Sequence, residues 1–143
     1  MNFLRQVVAI ATLAAAALHC GTPTAPSNAL IATVASAERS ATGIVQFQVD
    51  WRNVGRAPLY VPGCGGVVSM WLEQRGVSWQ RFGGGTCLAN LDQSPVRLDP
   101  GQTVHASVAV GPGDAGDYRA VTSFALDPGR EAAVVRSPSV RVQ

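Results

Sequence analysis

The chain has 143 residues, of which 47% are apolar and only 14% are charged. This composition excludes a disordered chain and allows one domain of common size with a buried core. The formal net charge is +2, and the eleven basic residues, all of them arginine, are scattered along the chain. The sequence therefore shows no basic patch of the kind that nucleic-acid-binding proteins have, and it predicts no nucleic-acid partner.

The first element along the chain is an export signal. Arg5 gives the N-terminus a positive charge, and residues 7–18 are apolar except for Thr12. A membrane-spanning helix needs about 20 apolar residues, so this run is too short to span a bilayer. It has instead the length of the apolar segment of a secretory signal. Residues 1–19 are therefore predicted to be a signal peptide.

A cysteine follows the apolar run, in the order His19, Cys20, Gly21. An export signal that ends at a cysteine resembles the lipobox of bacterial lipoproteins. The resemblance implies that Cys20 is acylated, becomes the first residue of the mature protein and anchors it to the membrane of the cell envelope. The chain departs from the family pattern at His19, where a small residue is usual, and at Ala17, where leucine is usual. The alternative is an ordinary signal cut after one of residues 14–17, which gives a secreted or periplasmic protein with a free thiol.

The segment after the signal is rich in threonine, proline and serine. Residues 20–29 have no hydrophobic period and are predicted to form a semi-extended tether with a reach of at most about 30 Å. A tether is the expected neighbour of a lipid anchor. Residues 30–143 remain for one globular domain.

Two strands are predicted at the start of this domain. Residues 30–37 are rich in β-branched and small side chains and precede a polar turn. Residues 44–52 alternate between apolar and polar side chains, which is typical of a half-buried antiparallel strand. The predicted inward face of this second strand consists of Val45, Phe47, Val49 and Trp51.

A short strand and a hairpin follow. Residues 59–61 have a proline on either side, which favours an edge or crossing strand because proline cannot donate to a ladder. Residues 67–74 and 77–82 flank an Arg-Gly turn, as the two arms of a hairpin would. Alternation predicts that Trp71 points outward and that three neighbours, Val68, Met70 and Leu72, point inward.

The remaining chain alternates strands and turns at intervals near ten residues. Residues 99–102 contain the Pro-Gly pair of a tight turn. Residues 103–110, 117–126 and 132–142 have the alternation or composition of strands. No stretch after the signal has a capped helical period. Eight or nine short strands in this order predict an all-β sandwich or barrel.

The segment Asp114-Ala-Gly-Asp-Tyr118 resembles the Asp-x-Gly-x-Tyr motif of immunoglobulin-like domains. The resemblance implies a single immunoglobulin-like antiparallel β-sandwich with a tyrosine corner made by Asp114, Gly116 and Tyr118, in which the tyrosine hydroxyl bonds backbone. In antibody domains a cysteine follows the tyrosine by two residues, where this chain has Ala120. The resemblance is therefore to the wider sandwich superfamily.

A second resemblance covers residues 50–120 and is carried by turn signatures. These are Asn53-x-Gly, Pro-Leu-Tyr-Val, Gly76-x-x-Trp79, Leu98-x-Pro-Gly and Gly116-x-Tyr-Arg119. Their order is similar to that of exported immunoglobulin-like domains of unknown function. It is also similar in layout to the bacterial intracellular proteinase inhibitor family. Turn signatures of this kind indicate a fold and do not indicate a function.

Two cysteines remain once Cys20 is assigned to the lipid. Cys64 and Cys87 lie in an exported domain, where disulfides persist, and they are predicted to form a structural disulfide. Metal binding is the weaker alternative, because the chain has no Cys-x-x-Cys spacing and one histidine, His105, after the signal. No metal and no cofactor are predicted.

Enzyme signatures are lacking in the sequence. There is no Gly-x-Ser-x-Gly elbow, and His105 falls on a predicted outer strand face, where it is interpreted as a solvated residue. Asp114 and Asp117 lie in a glycine-rich turn, but two carboxylates fall short of the roughly six oxygens that calcium needs. The sequence predicts a non-enzymatic protein.

Three aromatic residues, Tyr60, Trp71 and Trp79, lie within one 20-residue span. Aromatic side chains near a disulfide can anchor a binding partner, or they can fill the core or cover its open face. The sequence predicts a lipid-anchored cell-envelope module that binds an unknown extracytoplasmic protein or glycan through these residues. The alternative function is a proteinase inhibitor of the β-sandwich type.

Overall fold

The computed structural model describes residues 28–130 and 133–143. The predicted signal peptide, Cys20 and most of the tether lie outside these described residues. The described chain forms strands and no helix, as the sequence predicts. The strands are β1 Leu30–Arg39, β2 Val45–Asn53, β3 Leu59–Val61, β4 Gly63–Cys64, β5 Val67–Val68, β6 Trp71–Arg75, β7 Trp79–Gly84, β8 Val96–Leu98, β9 Thr103–Val110, β10 Gly116–Phe124, β11 Ala133–Arg136 and β12 Val140–Val142.

The strands pair into two main antiparallel sheets. One sheet has the order β1-β2-β9, and the other has the order β11-β10-β6-β7, with β12 pairing to β10 beside β11. Two further pairs of strands, β3-β8 and β4-β5, form short antiparallel ribbons. This arrangement is an all-β sandwich, which confirms the predicted fold class.

The core lies between the inner faces of the two sheets. The predicted inward residues of β2 are all buried, because every second side chain of this strand faces the other sheet. Leu72, Tyr118, Ala120 and Phe124 supply the opposing layer. Each large apolar side chain buried here contributes roughly 1.5–3 kcal/mol. The β2 layer consists of Val45, Phe47, Val49 and Trp51.

The predicted hairpin differs in its first arm. Val67 and Val68 do not pair with the second arm, because they form a small ribbon with Gly63 and Cys64. Only Trp71–Arg75 pairs with β7. The inward positions are nevertheless as predicted, since Val68, Met70 and Leu72 are buried. A strand of two residues is too short to show a period and forms only because a partner strand lies beside it. The sequence alone therefore does not predict the ribbon β4-β5.

Asn53 is a buried polar residue at the end of β2. Its side-chain amide donates to the carbonyl oxygens of Ala57 and Leu98, both at 2.9 Å, and its side-chain oxygen accepts from the amide of Gly55. Every polar group of this side chain is thus paired, as a buried amide requires. Asn53 ties the end of β2 to β8 and to the segment that precedes β3.

The glycine run at the end of β7 lies against the other sheet. A Cβ at Gly83 would lie 2.4 Å from Val110, and one at Gly84 would lie 2.7 Å from Val108. Gly84 also has a φ of +87°, a backbone conformation that residues other than glycine rarely adopt. The absence of side chains therefore lets the end of β7 pass against β9 of the other sheet.

Tyr118 lies at the corner where the chain passes from β9 to β10. Its hydroxyl donates to the carbonyl oxygen of Asp114 at 2.7 Å, and its ring meets Phe82 edge-on at 5.3 Å. The predicted tyrosine-corner residues therefore lie together at the start of β10. Burial of the ring raises the pKa of Tyr118 above its usual value, because a phenolate there loses hydration.

Candidate functional site: a tryptophan–arginine face

One face of the five-stranded sheet points away from the core. Alternation along β6 buries Leu72 and turns Trp71 and Glu73 outward, and the pairing with β10 sets these beside Val121 and Arg119. We call this surface the Trp–Arg face. It consists of Trp71, Glu73, Arg75, Trp79, Arg81, Asp117, Arg119, Val121, Arg136 and Arg141.

Both tryptophans of this face are covered by arginine. The guanidinium carbon of Arg81 lies 5.0 Å from the ring centre of Trp71, and that of Arg119 lies 4.1 Å from the ring centre of Trp79. Each cation–π contact contributes about 0.5–1 kcal/mol at an exposed site. Both rings are half-buried, so they lie on the open face of the sheet and outside the core.

Glu73 lies at the centre of the face. The Nε of Arg119 donates to its carboxylate at 2.7 Å, and the Nε of Arg136 approaches the same oxygen at 3.6 Å. The Glu73 side chain is only 13% exposed and that of Arg119 20%. Charge-assisted hydrogen bonds of this kind are among the stronger ones in proteins. They hold the Arg119 guanidinium at its position over the ring of Trp79.

Asp117 and Arg141 form a second ion pair at one end of the face. The Nε and Nη2 of Arg141 donate to the two carboxylate oxygens at 2.8 and 3.1 Å. This bidentate contact holds the pKa of Asp117 below its usual value, chiefly because the hydrogen bonds from Arg141 favour the ionised carboxyl. Asp117 therefore belongs to the Trp–Arg face at the start of β10.

The side chains of the face form a layer of their own. Val121 is fully buried, yet it does not belong to the cluster between the sheets. Its cross-strand neighbours are Trp71 and Arg136. The outer layer is therefore packed closely enough to exclude water from an apolar residue, which gives the arginines and tryptophans defined positions.

Tyr60 lies apart from the two tryptophans. Its backbone exchanges two hydrogen bonds of 2.9 Å with Ala125. Ala125 follows Val121 by four residues, which in a strand separates the two residues by about 13 Å. The ring is half-buried. The structure thus brings Trp71 and Trp79 together through Glu73 and Arg119, and it leaves Tyr60 at the margin of the same sheet.

The clustering of arginines on this face is not apparent in the sequence. Five arginines that are scattered in sequence share this face, because antiparallel pairing sets residues from β6, β7, β10, β11 and β12 side by side. The signal in the sequence is the spacing of two within each strand, as in Trp71, Glu73 and Arg75, or Trp79 and Arg81. The pairing of these strands, which local sequence patterns do not specify, is what brings the arginines together.

The predicted disulfide is confirmed. Cys64 and Cys87 are bonded, with their Cα atoms 5.4 Å apart. The bridge ties the ribbon β4-β5 to the segment that leaves β7, and a Cβ at Gly85 in that segment would lie 3.3 Å from Trp71. The disulfide therefore fixes the backbone next to the Trp–Arg face.

The outer face of the other sheet carries His105. Its side chain is 82% exposed and its Nδ1 is hydrogen-bonded to the carboxylate of Asp50. Ser107 follows on the same side of β9. Within residues 28–130 and 133–143, no group of three or more His, Cys, Asp or Glu side chains is placed to hold a metal ion. In the same ranges there is no helix long and apolar enough to cross a membrane.

Comparison with known proteins gives distant structural likenesses. The sequence matches no protein-family profile and no curated protein. The structure is similar to that of a Bordetella pertussis protein assigned as ApaA, with a TM-score of 0.49 and 17% identity over 78% of this chain and 90% of that one. It is also similar to part of a β-glucosidase from Listeria innocua, with a TM-score of 0.36, 13% identity and 80% of this chain aligned to 16% of the enzyme. These likenesses carry no argument about function.

Proposed function

We propose that this protein is a non-enzymatic interaction module of the bacterial cell envelope. Acylation of Cys20 anchors it to the membrane, and the Trp–Arg face binds an extracytoplasmic macromolecule. The sequence of the export signal supports the anchor, and the disulfide agrees with an oxidising compartment.

One observation carries the binding function: two tryptophans and the arginines that cover them lie on an open sheet face outside the core. Tryptophan and arginine are the residues most enriched at energetically dominant positions of interfaces. Their positions are set before binding by Glu73 and by the packed layer over Val121. Binding to such a face therefore requires little loss of side-chain conformational entropy.

Co-sedimentation with envelopes isolated from the source bacterium tests this function. The protein carries Cys20→Ser, so that no lipid retains it, and is compared with Trp71→Ala and Trp79→Ala versions. We expect each to bind at least about tenfold more weakly, the effect of an interface hot spot. Thr33→Ala and Gln48→Ala, exposed positions on the other sheet, are the controls. Equal binding by the tryptophan variants and the controls would contradict the proposal.

A further inference from the structure

The Trp–Arg face has an excess of positive charge. It carries five arginines and only two carboxylates, Glu73 and Asp117. Both carboxylates are already engaged by arginine. The whole chain has a formal net charge of only +2, so the positive charge is concentrated on this surface. A surface of this kind attracts a partner of opposite charge.

The guanidinium groups keep donors that the protein does not use. Arg81 donates one hydrogen bond, from Nη2 to the carbonyl oxygen of Gly84 at 2.8 Å, and its side chain is exposed. An arginine has five N–H donors in a planar fork that matches the two oxygens of a carboxylate. The central carbon of this group lies 5.0 Å from the ring centre of Trp71, and the exposure of the side chain leaves the remaining donors accessible to a partner. The chemistry of the face is therefore that of a carboxylate receptor.

The dimensions of the face fit a protein surface. Four columns of strands about 4.8 Å apart make it about 19 Å wide, and the nine residues from Asp117 to Ala125, which include the margin at Tyr60, span about 27 Å. The projected area of the face together with this margin is on the order of 500 Å², below the roughly 800 Å² that each partner contributes to a standard protein–protein interface. Tyr60 lies at the far end of this area.

We propose that the partner of the Trp–Arg face is a protein that presents a surface rich in aspartate and glutamate. This inference rests on the proposed function and adds the chemical class of the partner. The arginine edges bind the carboxylates in pairs, and the two tryptophans supply the apolar contact between them. Acidic polysaccharides share the carboxylate but are a different class of partner, which the experiment separates.

Binding of the Cys20→Ser protein to poly-L-glutamate and to polygalacturonate, at equal carboxylate concentration, tests the proposal by titration calorimetry. We expect poly-L-glutamate to bind more tightly, and the affinity to fall as salt screens the charges. Arg75→Gln with Arg81→Gln should weaken this binding at least fivefold. Arg52→Gln with Arg56→Gln removes the same charge from exposed positions off the face and should change it less than twofold.

Three results would overturn the proposal. These are no binding of poly-L-glutamate, tighter binding of polygalacturonate, or an equal loss in the two double variants. Unchanged melting temperatures establish that the variants are folded. If the polymers fail while Trp71→Ala still releases the protein from envelopes, the acidic partner is wrong and the contact face stands. If the tryptophan variants also bind envelopes normally, the proposed function itself fails.

Discussion

Asn53 is the residue whose chemistry is most closely tied to its position. Replacing it with aspartate keeps the shape but removes the donor for Ala57 and Leu98 and sets a carboxylate against two carbonyl oxygens. We expect Asn53→Asp to lower the free energy of unfolding by about 3 kcal/mol, since buried acceptors lose their partner and a charge is buried. Urea denaturation measures this loss.

Asn90→Asp is the matched control for this substitution, because it makes the same chemical change at an exposed loop position. Its effect should lie within about 0.5 kcal/mol of zero. Equal stability losses at positions 53 and 90 would show that the buried network does not hold the strands together.

Tyr118 gives the corner a dependence on alkaline pH. Its pKa is raised by burial, so the folded state prefers the neutral phenol. The stability from this group is complete below the unfolded pKa of about 10 and is lost as pH rises through the higher folded value. In a Tyr60→Phe protein only Tyr118 contributes phenolate absorbance, and we expect its midpoint above about 10. A midpoint at or below that value would contradict burial of the hydroxyl at the corner.

At the scale of elements, the sequence predicts strands whose two faces differ. The alternation of β2 is complete because one side of it packs against the core and the other meets solvent. β3, β4, β5 and β8 have two or three residues each, too few to show a period. Their existence depends on partners elsewhere in the chain, so the broken first arm of the hairpin could not be foreseen.

The disulfide stabilises the elements around the glycine run. It closes a loop with a sequence separation of 23. Removing it increases the conformational entropy of the unfolded chain, which stabilises the unfolded state by about 3 kcal/mol. We expect Cys64→Ser with Cys87→Ser to lose about this much free energy of unfolding in guanidinium denaturation. Reductant should produce the same loss in the native protein and none in the double variant. A loss of unfolding free energy below about 1 kcal/mol would mean that the bridge adds little to the stability that the backbone hydrogen bonds between the strands supply.

At the scale of the whole molecule, the N-terminal anchor and the sandwich are separate predictions. Intact-mass measurement of the mature protein tests the anchor. We expect a chain that begins at Cys20 and carries the mass of two or three acyl groups. An unmodified chain that begins at residues 15–18 would contradict lipidation and would make the protein secreted or periplasmic.

The contact face could be predicted only in part. Trp71 and Trp79 stand out in the sequence because they are large and close together, and the fold places both on one open surface. Arg119, Arg136 and Arg141 come from the last third of the chain and meet them only through the pairing of β10 with β6, β11 and β12. Local patterns do not encode such long-range register, so the charge of the face emerged from the structure.

The two sheets expose different surfaces, and this difference allows one direct measurement of the central claim. Hydroxyl-radical footprinting of the Cys20→Ser protein, with and without isolated envelopes, reports the side chains that become covered. We expect oxidation of Trp71 and Trp79 to fall at least threefold on binding, while His105 on the other sheet, 82% exposed in the free protein, keeps its reactivity. Protection of His105 with unchanged oxidation of the two tryptophans would contradict the assignment of the Trp–Arg face as the contact surface.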